Sequence, residues 1–210
     1  MNNRPHSTHT PTPALRKRTI LRNRSVFTAL FAALIAVSSF FIVPLPGGIP
    51  IVLKNLFVVL AGTVLGSFYG GAAVLIFLAA GIAGLPVFVI PGGPGAFLTP
   101  LGGYLAGYFA GSLAAGLIGG LPSVNEKKAG VGLWIRVGAA SFAGFSIILI
   151  CGMVYLMILN SMSLKAAFLA GMVPFIPGDL IKLAISIPLA VKLRPVAARY
   201  INPDTGAPHA

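Results

Sequence analysis

Asp179 and Lys182 stand three residues apart, directly after the run Pro174-Phe-Ile-Pro-Gly178, in a chain with only three acidic residues in 210. Residues three apart share a helix face, so this spacing presents a carboxylate and an ammonium side by side. Lys54, followed by Asn55, is a further charge placed where an apolar run begins. Two readings of the Asp179–Lys182 pair are open. Asp is stabilised by the dipole at a helix N-terminus and Pro177 suits helix initiation, so the pair can be a cap with a local partner. Alternatively both groups face a pocket between helices, where charge inside a membrane usually belongs. Such a pocket has a definite chemistry. The ammonium groups of Lys182 and Lys54 suit a carboxylate, and Asp179 accepts hydrogen bonds from N–H donors. Phe88, Phe97 and Tyr104 offer apolar and aromatic wall between them. A small amphiphilic acid with amide-like N–H groups meets these requirements.

The background explains why so few charges stand out. The chain is 57% hydrophobic and 9% charged, with a mean hydropathy of +0.95. Soluble domains carry about 25% charged residues, so a soluble fold is excluded and a membrane fold expected. A net charge of +12 would raise nucleic acid as a partner of a soluble protein, but here it speaks of orientation. Enzyme chemistry finds no constellation. His6, His9 and His209 lie in the tails, Glu126 in a loop, and nothing pairs into a zinc site, a carboxylate pair or a Ser/His arrangement. No metal or other cofactor is expected. No G-x-x-x-x-G-K-[ST] loop exists, so any use of ATP needs another chain. Cys151, the single cysteine, reads as a small buried hydrophobe. A self-contained ion-coupled carrier or channel, with Asp179 as its ion site, is the alternative these residues allow.

The elements that must position the charges follow from apolar runs and breakers. Six transmembrane helices are expected, about 25–43, 51–65, 72–85, 101–121, 134–159 and 178–193, in an all-α bundle. Residues 1–24 read as a disordered basic tail, 25–195 as the membrane domain, and 196–210 as a flexible C-terminal tail. Gly66–Gly71 reads as a tight turn, and the Pro- and Gly-rich stretch 86–100 as a loop able to act as a lid. Gly103, Gly107, Gly111, Ala115 and Gly119 recur every four residues and form a smooth face for helix packing. With six spans, twelve of the fifteen Lys and Arg fall on the side of both termini, which the positive-inside rule makes cytoplasmic. Lys54, Asp179 and Lys182 then belong to the outer ends. Ala29 and Ala33, with Ala32 and Ala36, give the first span small-residue faces, equally suited to packing within the bundle or to docking another helix.

Over about residues 25–195 the chain resembles the biotin-specific substrate-binding component of energy-coupling factor transporters, the BioY family. The sharpest likeness is Pro174-Phe-Ile-Pro-Gly-Asp-Leu-Ile-Lys182, close to that family's P-F-[IL]-P-G-D-x-x-K. Gly84-Leu-Pro-Val-Phe88 and Gly102-Gly-Tyr104 also match, and Ile49–Asn55 more loosely. The resemblance implies six helices, a vitamin taken from outside, and work with a transmembrane coupling subunit and two ATPase subunits in the cytoplasmic membrane. It implies that Asp179, Lys182 and Tyr104 contact biotin, and that the first helix, through Ala29 and Ala33, meets the coupling subunit. A related acid such as lipoate or a biotin precursor is the alternative ligand. Three positions differ: Lys54 where the family prefers Gln, Pro94 in the loop, and Thr99-Pro-Leu-Gly-Gly-Tyr104 where it reads G-P-T-G-G-Y.

Overall fold

The computed structural model describes residues 13–44, 50–88, 93–128 and 130–203. These form α1 (Pro13–Ser38), a short hairpin of β1 (Ile42–Pro44) and β2 (Pro50–Val52), then α2 (Lys54–Leu65) and α3 (Ser67–Ile82). After a 3-10 turn at Pro94–Leu98 come α4 (Gly102–Gly119), a second such turn at Val124–Lys128, α5 (Val131–Leu159), α6 (Leu164–Gly171) and α7 (Ile176–Ile201). The hairpin is antiparallel, with Val43 opposite Ile51, and delivers the chain directly into Lys54.

The bundle is built around α2. Val58 to Leu65 are all buried, and the helix packs against α1, α3, α4, α5 and α7. A helix apolar on every side belongs at a centre, where each face finds a neighbour. At 12 residues it is also short, about 18 Å at 1.5 Å per residue. It is therefore enclosed by protein and not a full lipid-facing span. Helices long and apolar enough to cross a membrane by length and composition are Leu15–Ser38, Val131–Leu159 and the segment Leu164–Ile201. Only 22%, 28% and 22% of their most apolar windows are buried, so most of that apolar surface points outward. Val26, Leu30, Ile135, Phe142, Ile181 and Ile185 are among the outward residues. Water would not support so wide an apolar exterior. The chain is a multi-pass helical membrane protein.

Small residues set the closest approaches. A side chain at Gly103 would overlap Tyr155, and one at Gly107 would meet Cys151 and the Ile148 backbone at 3.0–3.1 Å. Gly111 approaches the Gly144 carbonyl, and Ala115 in turn faces Gly144. The four-residue face of α4 is thus its seam with α5, as helix packing in membranes requires. The expected turn at Gly66–Gly71 is a single residue: Gly66, at φ 81°, ends α2 and starts α3. Gly70 and Gly71 lie inside α3, where the first presses on the Ala61–Gly62 backbone and the second on Leu113. Their smallness serves packing, not turning.

Both terminal helices reach further than the sequence implies. The tail expected over 1–24 becomes helical at Pro13, and α7 runs to Ile201, into the tail expected over 196–210. Pro13 at the first helical position and a run of Arg and Lys favour the early start. Tertiary contacts hold the two extensions together. Arg24 Nε donates to the Ile201 carbonyl at 2.8 Å, Asn23 Nδ2 to that of Tyr200 at 3.3 Å, and the Arg24 guanidinium lies 5.4 Å over the Tyr69 ring. Asn202 Nδ2 donates to the Pro122 carbonyl at 3.2 Å. These ties carry α7 past Pro188 and Pro195, which lie inside it. The remaining tail residues, 1–12 and 204–210, lie outside the described residues.

At that same end a buried guanidinium joins four elements. Arg194, fully buried, donates from Nε and Nη2 to the two oxygens of Glu126, each at 2.8 Å. It also donates to the carbonyls of Thr63, Gly120 and Leu121. Arg136 of α5 reaches the same Glu126 at 2.5 Å. The fork of arginine suits this bidentate pairing, and its remaining donors close the exposed carbonyls of α2 and α4. Arg194 and Arg136 are therefore structural charges.

Candidate ligand-binding site

The opposite end of the bundle is where α2, α4 and α7 begin and α3 and α5 finish. Three of the expected site residues open helices there: Lys54 is the first residue of α2, Tyr104 lies in the first turn of α4, and Asp179 in that of α7. All are buried, with Lys54 at 4%, Asp179 and Lys182 at 5%, and Tyr104 at 9% exposure. The Pro174–Pro177 run makes this possible. It turns the chain through a 3-10 turn, Val173–Phe175, and starts α7 with Pro177 near its N-terminus, where no N–H is missed.

Asp179 and Lys182 pair directly, with Lys182 Nζ donating to Asp179 Oδ1 at 2.7 Å. The second carboxylate oxygen, Oδ2, is buried and has no hydrogen-bond partner among the described residues. Leaving a buried acceptor unsatisfied is costly, most of all on a charged group. A capping role alone does not account for it, because a cap would direct that oxygen at backbone N–H groups, and α7 has no side-chain cap bond. The pair is thus only half satisfied, with one buried carboxylate oxygen left without a donor among the described residues.

Aromatic rings surround the charges. The Lys54 ammonium lies 5.3 Å from the ring centroid of Tyr108 and 5.6 Å from that of Phe77. Phe77 meets Phe88 edge to face at 5.5 Å, and Tyr104 meets Phe175 at 5.6 Å. Tyr104 and Tyr108 stand one turn apart on α4, which connects the Lys54 cage to the Phe175 ring at the start of α7. Glycines seat two of these rings: a methyl at Gly81 would overlap Phe88, and one at Gly152 would overlap Tyr104. The Tyr104 hydroxyl donates to the Gly171 carbonyl, so Tyr104 offers the site its ring while its oxygen ties α4 to the end of α6.

The remaining expected positions are distributed differently. Asn55 is half-buried beside Lys54 and makes no side-chain hydrogen bond among the described residues. Phe97, in the 3-10 turn, is half-buried, and its carbonyl accepts a 2.5 Å hydrogen bond from the Tyr155 hydroxyl. The Gly93 N–H donates to the Gly81 carbonyl at 2.7 Å, folding the described part of the 86–100 loop back onto α3. Residues 89–92 of that loop lie outside the described residues. On α1, Ala29 and Ala33 are exposed on the outer surface, whereas Ala32 is buried and Ala36 half-buried against the core. The two small-residue faces of α1 thus separate, one turned in and one out.

Phe175 stands within the Pro174–Lys182 motif, whereas Phe77, Tyr108 and Tyr155, which pack around these charges and the 3-10 turn, belong to no motif. Tyr108 had a signal, since it follows Tyr104 by one helical turn and must share its face. The others sit in apolar runs where any aromatic reads as core. Their role appears only when four helix ends are brought together.

Comparison with known proteins gives a consistent result. The sequence profile described as the BioY family matches residues 9–199. The biotin transporter BioY of Thermotoga maritima is 36% identical over 166 residues, covering 79% of this chain and 92% of that protein. The biotin transporter BioY of Rhodobacter capsulatus is 38% identical over 167 residues, covering 75% and 85%. A crystal structure of the S-component for biotin from an ECF-type ABC transporter superposes with a TM-score of 0.68 at 26% identity, covering 88% of this chain and 94% of that one.

Proposed function

The chain belongs to the BioY family, and on that premise we propose that it captures biotin from outside the cell and delivers it across the cytoplasmic membrane as the substrate-specificity subunit of an energy-coupling factor transporter. One observation carries the reading: a buried Asp179–Lys182 pair whose second carboxylate oxygen has no partner, set among aromatic rings at one end of the bundle. Biotin combines a cyclic urea, with two N–H donors and a carbonyl acceptor, an apolar bicyclic body, and a carboxylate at the end of an alkyl chain. The free oxygen of Asp179 suits a urea N–H, and Lys182, already beside it, suits the urea carbonyl. The rings of Tyr104, Phe175 and Phe88 suit the apolar body. Burial keeps water from competing for those groups.

The end holding Arg24, Arg136, Arg194 and Arg199 is cytoplasmic in this reading, because positive charge is retained on that side. The Asp179 end then opens outward. Translocation is driven by two ATPase subunits and a transmembrane coupling subunit, and the outward Ala29–Ala33 face of α1 is a close-packing surface for the latter. Reconstitution separates this subunit from a self-contained carrier. In proteoliposomes holding the purified chain alone, labelled biotin is expected to bind without accumulating, with or without a proton gradient. Accumulation against a gradient by the chain alone would overturn the subunit reading.

A further inference from the structure

We propose that Lys54 is the specificity-determining residue for a carboxylate on the ligand, leaving Asp179 and Lys182 to its N–H and carbonyl groups; the assignment rests on the biotin reading of the same site. Lys182 is compensated by Asp179, 2.7 Å away. Lys54 is equally buried, yet it has no carboxylate partner among the described residues, only the faces of Phe77 and Tyr108. The protein has little else to offer it. Of its three acidic residues, Asp179 is engaged by Lys182, Glu126 is held by Arg194 and Arg136 at the far end, and Asp204 follows α7 in the sequence. Two ring faces stabilise an ammonium, but by much less than it loses on leaving water. A buried cation with aromatic walls and no anion is a site that an incoming anion completes. Tyr108 connects it to the rest, since its ring lies under the Lys54 ammonium and it stands one turn of α4 beyond Tyr104, whose ring packs on Phe175 beside the start of α7. A ligand spanning the two must therefore carry an anionic end and an N–H end, separated by an apolar body.

The test compares biotin with biotinamide, in which a neutral carboxamide of nearly the same shape replaces the carboxylate. Both are titrated calorimetrically into the full detergent-solubilised chain, wild type, Lys54→Gln and Lys54→Arg. The wild type is expected to prefer biotin by about tenfold or more. Lys54→Gln is expected to bind the two within about twofold of each other, with biotinamide affinity close to that of the wild type, which also reports that it is folded. Lys54→Arg is expected to retain the preference. A preference that survives in Lys54→Gln overturns the assignment, and so does a wild type that binds both equally, a result that needs no variant. A wild type that binds neither probe overturns the biotin reading itself, and is distinguishable from both.

Discussion

Lys54, Asp179 and Lys182 each carry weight singly because each is buried in a nearly uncharged chain. Removing one member of the Asp179–Lys182 pair leaves the other buried and unpaired, a cost of about 3–5 kcal/mol. Single substitutions therefore mix loss of folding with loss of binding. Replacing both, as in Asp179→Asn with Lys182→Met, removes the charges together and leaves no buried unpaired ion. That double variant is expected to unfold thermally close to the wild type in detergent. The pair itself was legible before any coordinates, since i, i+3 spacing places the two groups on one face and their rarity in an apolar run marks them. Lys54 was legible in the same way. What spacing could not divide was their chemistry. Both lysines suit a carboxylate on paper, and only the 2.7 Å contact of Lys182 with Asp179 shows which one is already compensated.

Helix packing supplies the site with its shape, and here glycines do more than the side chains around them. Gly152 on α5 and Gly171 at the end of α6 together hold Tyr104 of α4, one by leaving room for its ring and the other by accepting a hydrogen bond from its hydroxyl. Gly152→Ala forces the ring to move. Overpacking of this kind costs about 1–3 kcal/mol, and the displaced ring disturbs the wall that Tyr104 forms with Phe175. Biotin affinity is expected to fall about tenfold, measured by calorimetry, while the variant still folds. The α4 seam with α5 could be read from the four-residue repeat of small residues alone. The limits of α3 could not, because Gly70 and Gly71 look the same in sequence whether they turn a chain or let two backbones touch. Only the approach of Gly70 to Ala61 and Gly62, and of Gly71 to Leu113, decides it.

Across the whole molecule, α7 carries both ends of the design, with Asp179 in its first turn and Arg194 fifteen residues on, about 22 Å along the axis. Composition assigns Arg194 to the positive residues that orient the chain. Its complete burial and its bidentate bond to Glu126 make it a fastener for α2, α4, α5 and α7 as well. No sequence pattern distinguishes it from Lys192 or Arg199 nearby, since its partner lies 68 residues away. Glu126→Ala leaves that guanidinium buried without its anion and is expected to destabilise the bundle by about 3–5 kcal/mol. Thermal unfolding in detergent measures the loss, and the folded fraction is expected to bind biotin as the wild type does, since nothing at the binding end is touched.

The most direct test of the account is a calorimetric titration of biotin into the wild-type chain and into the Asp179→Asn, Lys182→Met double variant, each shown to be folded by thermal unfolding. Saturable binding at one site per chain in the wild type, and none in the folded double variant, is the predicted result. Biotin binding of equal affinity in both, or no binding to the wild type, would contradict it.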